Sequence, residues 1–195
     1  MRKLLFDQFV VVEMMSRPFH FYRLLTGIIA CVFLSAQAFA EVRDPETHFF
    51  NETFGNFAEE LENARDNDKK GVLIMFQQED CPYCHRMRTT ILNQAAVQDY
   101  YRQHFLIFHV DIEGDLEITD FNAEQTVEKD FAFKQNRVRA TPVFAFFDLD
   151  GNRVARYTGA ANDVEEFMLL GKYVVDEIYR SMSFNRYKRE QQEQS

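Results

Sequence analysis

Val72-Leu73-Ile74-Met75-Phe76 is a short, unbroken apolar run. Such a run is expected of a strand buried on both faces, which needs covering layers above and below it and points to an α/β domain. Soon after it the chain reads Cys81-Pro82-Tyr83-Cys84-His85, and from Pro82 onward Met87 and Ile91 recur at helical spacing, continuing after Asn93 with Val97, Tyr100 and Tyr101. Two cysteines therefore sit where a buried strand gives way to a helix. That pair admits two chemistries: a dithiol that cycles with a disulfide, or, with His85, a c-type haem attachment site.

Residues 1–40 are set apart from the fold. Arg17, His20 and Arg23 precede an apolar run from Leu24 to Leu34, and Ala38 and Ala40 then stand at the −3 and −1 positions of a signal-peptidase site. The run is about half of the roughly 20 residues a membrane span needs, which argues against a retained anchor. Ile28 to Cys31 has the form of a lipobox, but the apolar run continues beyond Cys31 to the better cleavage site. The expectation is a cleaved signal peptide over 1–40, a domain over 41–185, a polar tail over 186–195 and a periplasmic location. Cleavage removes Arg2, Lys3, Arg17 and Arg23 with Asp7 and Glu13, taking the formal charge from −9 to −11. So acidic a surface argues against nucleic acid as a partner. It also removes Cys31, leaving Cys81 and Cys84 alone; in an oxidising compartment two such close cysteines are an active pair more often than a structural staple, because the loop they close is too short to constrain an unfolded chain.

Before the apolar run, Phe54, Phe57, Ala58, Leu61 and Ala64 have helical spacing. Phe105 to Ile112 predicts a second buried strand. An acidic, turn-rich stretch follows, with a short hairpin around Leu116 to Phe121 and a helix from Thr126 carrying Val127, Phe131 and Phe133. Thr141-Pro142 leads into another strand, Asp150-Gly151 supplies a hairpin turn, and Arg153 to Gly159 returns as its partner. Asn162 and Glu165 have the spacing of a capping box that opens a last helix. The final residues are nearly all polar and predict a frayed tail.

In this order the elements resemble the thioredoxin fold over residues 50–182, a central mixed sheet flanked by helices. Two motifs carry the likeness: Cys81-Pro82-Tyr83-Cys84 at the strand-to-helix junction, and Val138 to Asn152, where thioredoxins have their cis-proline strand. The chain is similar to secreted thioredoxin-like proteins of SoxW type and, more distantly, to the catalytic domains of DsbC and DsbG. The spacing from Cys84 to Pro142 is longer than in a minimal thioredoxin, with the insertion at 113–126.

The resemblance implies a thiol-disulfide oxidoreductase, a reductase of protein disulfides, that needs no cofactor beyond its Cys81–Cys84 pair. Cys81, just before the helix, is the expected nucleophile, since free N–H groups and the helix dipole favour its thiolate. Cys84, one turn inside, is expected to resolve the mixed disulfide. Pro82 suits the first turn, where its missing N–H has no partner; Tyr83 is a tuning residue. Thr141, joined to Pro142 by the implied cis bond, is expected to pair with an extended substrate. The family's buried Asp, six residues before the first cysteine, is replaced by Met75, and an aromatic two residues further on by Gln77. Glu79 or a water is the expected proton acceptor for Cys84, and His85, when protonated, would favour the Cys81 thiolate.

The expected partners are protein or peptide thiols and disulfides and a membrane electron donor. Nothing like the dimerisation domain of DsbC or DsbG is present, which counts against an isomerase and favours a monomer. A redox-dependent binding or chaperone-like protein without turnover is the other class. Zinc lacks two further ligands near the cysteines, and Asp111, Glu113, Asp115 and Glu117 lack the spacing of a calcium loop.

Overall fold

The computed structural model describes residues 41–193; the expected signal peptide lies outside the described residues. After a short helix α1 (Pro45–His48) come α2 (Phe57–Asp66), β1 (Gly71–Gln77), α3 (Pro82–Thr90), α4 (Ala95–His104) and β2 (Phe105–Asp111). A small hairpin of β3 (Glu117–Thr119) and β4 (Gln125–Val127) precedes α5 (Glu128–Asp130), which runs on as a π-helical turn over Phe131–Gln135. The chain closes with β5 (Val143–Phe147), β6 (Arg153–Thr158), α6 (Val164–Val175), a 3₁₀ turn (Ile178–Arg180) and α7 (Phe184–Glu193).

The main sheet has the order β2-β1-β5-β6. β1 runs parallel to β2 and antiparallel to β5, so the sheet is mixed. Val72 to Phe76 are all fully buried, as a central strand with both faces covered requires. Their alternation divides the core. Leu73 and Met75 join Phe49, Cys84, Tyr101 and Phe167 on one face, whereas Val72, Ile74 and Phe76 join Phe57, Phe108 and Phe131 on the other. On the outer edge of β2 a single residue does a strand's work: the Asn51 N–H donates to the Ile107 carbonyl (2.7 Å), and its side-chain oxygen accepts the Ile107 N–H (2.9 Å).

Several sequence expectations are corrected. Phe54 lies outside its helix and fully exposed, because Asn56 caps α2 by accepting the Glu59 N–H at 3.2 Å. Thr126 and Val127 belong to β4 rather than a helix, paired with Ile118 and Glu117; the buried Ile118 pins that hairpin. Phe133 is 53% exposed while Phe131 and Ala132 are buried, because a residue two beyond Phe131 comes out on the opposite face of the helical turn. Asp163, not Asn162, caps α6, accepting the Glu166 N–H at 2.7 Å.

The largest difference is at the end. Residues 184–193 form α7 instead of a frayed tail, so the domain runs past 185. Phe184 meets the rings of Tyr157 and Tyr173 at 5.8 and 5.4 Å, Tyr187 meets Tyr173 at 5.8 Å, and Lys188 pairs with Glu166 at 2.7 Å.

Burial alone would raise the Glu166 carboxyl, but Lys188 and the two N–H donors of Asn162 together hold it below its ordinary value. A depressed folded pKa contributes stability above the unfolded value, lost as pH falls through the folded one. Lys188→Ala should therefore cost about 1 kcal/mol in urea unfolding near pH 7. The gap to the parent should shrink below about pH 4. An equal gap at both pH values would remove the ion pair from the account.

Candidate active site

The site begins with the way β1 hands over to α3. After Gln77 the loop Gln78–Asp80 carries the chain to Cys81, which is the N-cap of α3 with extended backbone angles (φ −108°, ψ 100°). Pro82 follows as the first helical residue, where a missing N–H costs nothing. The Cys84 N–H, one of the donors a helix start leaves free, points at Cys81 Sγ at 3.0 Å. Cys81 and Cys84 form a disulfide with Cα atoms 5.2 Å apart, and they are 8% and 3% exposed. Opening that disulfide would leave the aimed N–H and the helix dipole acting on one sulfur, Cys81, and not on the other.

Cys81 and Cys84 both line a cleft of about 330 Å³. Glu79 and His85 lie on its wall, as do Gln77 and Gln78. The Thr141 hydroxyl donates to Gln78 Oε1 at 2.9 Å, which ties the Thr141-Pro142 loop to that wall. The Thr141–Pro142 bond is cis, and the Pro142 carbonyl accepts the Gly159 N–H at 2.9 Å. The structure brings Cys81, Cys84, Glu79 and His85, all singled out in the sequence, onto one cleft, with Thr141 joined to it through Gln78. Tyr83, at 62% exposure, and Pro82 lie on the outer surface of the helix start instead. A lining of carboxylates, amides and a guanidinium does not fit the apolar faces of a haem.

The remaining lining residues, Glu46, Arg88 and His109, were not picked out as site residues by the sequence. Arg88 stands one turn beyond Cys84 on the same face of α3. It pairs with Glu46 from α1 and donates to Gln77 Oε1 at 2.5 Å. Gln77 Nε2 meets His109 Nδ1 at 3.3 Å, and His109 Nε2 lies 3.8 Å from Glu46 Oε2. Phe50 packs beneath the group, with Arg88 4.7 Å over its ring and the His109 ring edge-on at 5.1 Å. Burial, then the Arg88 charge, holds His109 below its ordinary pKa, with Asp111 opposing. The four-residue spacing of Cys84 and Arg88 was a readable signal. Glu46, far off in sequence, offered none.

A family model described as a thioredoxin-like domain matches residues 57–174. Among solved structures, a thioredoxin-fold protein from Helicobacter pylori is similar at 20% identity and a TM-score of 0.54, over 66% of this chain and 88% of that one. A protein from Bacteroides thetaiotaomicron described as a candidate disulphide-isomerase is similar at 24% identity and a TM-score of 0.51, over 69% and 94%. A DsbH oxidoreductase is similar at 19% identity and a TM-score of 0.51, over 73% and 96%. At these identities the likeness is one of fold. The comparison with curated protein sequences returned no match.

Proposed function

Because the chain belongs to the thioredoxin-like domain family, we propose that it is a periplasmic thiol-disulfide oxidoreductase that reduces protein or peptide disulfides. The observation that carries this reading is the Cys81–Cys84 disulfide at the start of α3, with the Cys84 N–H aimed at Cys81 Sγ at the mouth of a cleft. In the reduced protein the Cys81 thiolate attacks one sulfur of a substrate disulfide, and the other sulfur leaves as a thiolate. Cys84 then attacks Cys81 Sγ, the bond to the substrate breaks, and the substrate leaves with both of its sulfurs reduced. The protein has lost two electrons and holds its own disulfide, which a dithiol donor at the membrane must reduce again.

Thr141 is tied to the cleft wall through Gln78, and in this reading it and Pro142 hold an extended substrate strand beside Cys81. Pro82, Tyr83, Glu79 and His85 tune the cysteines. Secretion through a cleaved signal peptide, a monomeric state and kinship with SoxW-type proteins complete the proposal.

With dithiothreitol as terminal reductant, the protein should speed the reduction of an insulin disulfide, and Cys81→Ser should run no faster than dithiothreitol alone. Its reduction potential should lie nearer about −270 mV than about −120 mV, the range from reductants to strong oxidants. A parent protein no faster than dithiothreitol would point to a redox-dependent binding protein without turnover.

A further inference from the structure

Resolution of a mixed disulfide needs Cys84 as a thiolate, yet Cys84 is buried and the strand beneath it presents Met75, which accepts no proton. The register of the sheet supplies a group that can. In the parallel pairing of β1 with β2, Met75 stands opposite His109, so both side chains leave the sheet on the face that carries the cysteines. Unlike Met75, the His109 side chain is 42% exposed, and it lines the same cleft as Cys84.

Resting on the oxidoreductase reading above, we propose that His109 is the proton acceptor for Cys84, acting across the cleft and held in place by Gln77, Arg88 and Glu46. Arg88 takes the amide oxygen of Gln77 and so turns the amide N–H toward Nδ1 of His109, leaving the ring proton on Nε2, toward Glu46. A water in so polar a cleft would carry the Cys84 proton to Nδ1, displacing the Gln77 contact. The electron pair freed on Cys84 forms the bond to Cys81 Sγ. The bond from Cys81 to the substrate sulfur breaks, and the departing thiolate takes the proton back from the imidazolium. Nothing else is consumed.

The surroundings suit both ring states. Burial and Arg88 keep the ring neutral near neutral pH, ready to accept. Once protonated it has Glu46 and Asp111 as neighbours and Glu79 on the same cleft; a second hollow that His109 also lines brings in Glu52, Glu117 and Glu128. Arg88 is the fixed cation on the cleft wall, which His85 also lines.

Reduced protein mixed with an excess of an aromatic disulfide that releases a coloured thiolate should react in two phases, the first as Cys81 is captured and the second as Cys84 resolves. His109→Gln should leave the first phase within about twofold and slow the second at least about tenfold near pH 7, because a positioned base contributes at least that much. The deficit should narrow as pH rises through and beyond about 8.5, where a free thiol begins to ionise unaided. In His109→Ala, added imidazole should restore part of the second phase. Slowing of equal size at every pH, with no imidazole rescue, would reduce His109 to a packing residue. An unchanged second-phase pH profile in His109→Gln would also overturn the proposal. A parent that lacks the two phases would instead overturn the oxidoreductase reading itself.

Discussion

Cys84→Ser protein recovered from cells or mixed with a disulfide substrate should carry the substrate as a mixed disulfide on Cys81, and Cys81→Ser protein should carry none. The asymmetry follows from position. The helix start aims the Cys84 N–H at Cys81 Sγ, so Cys81 is the sulfur whose negative charge is favoured and which attacks first. Cys84, closed in at 3% exposure, meets only the bond that Cys81 has made. Each variant should lose on the order of hundredfold or more in reduction of a protein disulfide, since one cannot capture the substrate and the other cannot release it. They differ in what accumulates. Non-reducing gels and intact mass should show bands that dithiothreitol removes in Cys84→Ser alone; equal trapping by both variants would undo the assignment of roles.

Gly71→Ala should be the most damaging small substitution in the domain. Gly71 opens the central strand with φ +154°, a backbone conformation that residues with a Cβ rarely adopt. A Cβ built there would lie 2.0 Å from the Phe147 carbonyl oxygen, inside contact distance of the backbone of β5. Neither strand can yield easily, because β1 is bonded on both sides, to β2 and to β5. The expected loss is about 3 kcal/mol or more, read as a lower urea midpoint at unchanged slope. A loss below about 0.5 kcal/mol would mean that the strand pair adjusts freely.

The parts of the fold legible in the sequence were those whose physics is local. Val72 to Phe76 reads as a two-sided strand because its burial is written in every residue, and Asp150-Gly151 reads as a turn because Gly151 must take a positive φ (77°). The cysteine pair was legible for the same reason: the N-cap position, the first-turn proline and the spacing of three are contiguous. What escaped depends on partners distant in the chain. α7 has Phe184 and Tyr187 as its apolar contacts to the core, and its polar stretch becomes a helix because Tyr157, Tyr173 and Glu166 stand ready to receive it. Phe133 was grouped with Phe131, yet two residues on it lies on the opposite face and is exposed. His109 was visible as a polar residue in a strand, but its neighbours on the cleft come from α1, β1 and α3, and no one-dimensional pattern brings those together.

Asn51 has an effect well beyond the two hydrogen bonds it makes. By offering its N–H and its side-chain oxygen to one residue of β2, it satisfies a stretch of sheet edge that would otherwise call for a whole strand or invite one from another molecule. The ten described residues ahead of it are thereby released from lying along the sheet. They fold across the cysteine-bearing face instead, where Phe49 and Phe50 plug the core and the single turn between Pro45 and His48 swings Glu46 over the cleft. An asparagine that stands in for a strand is what leaves enough chain at the domain's leading end to reach its chemistry.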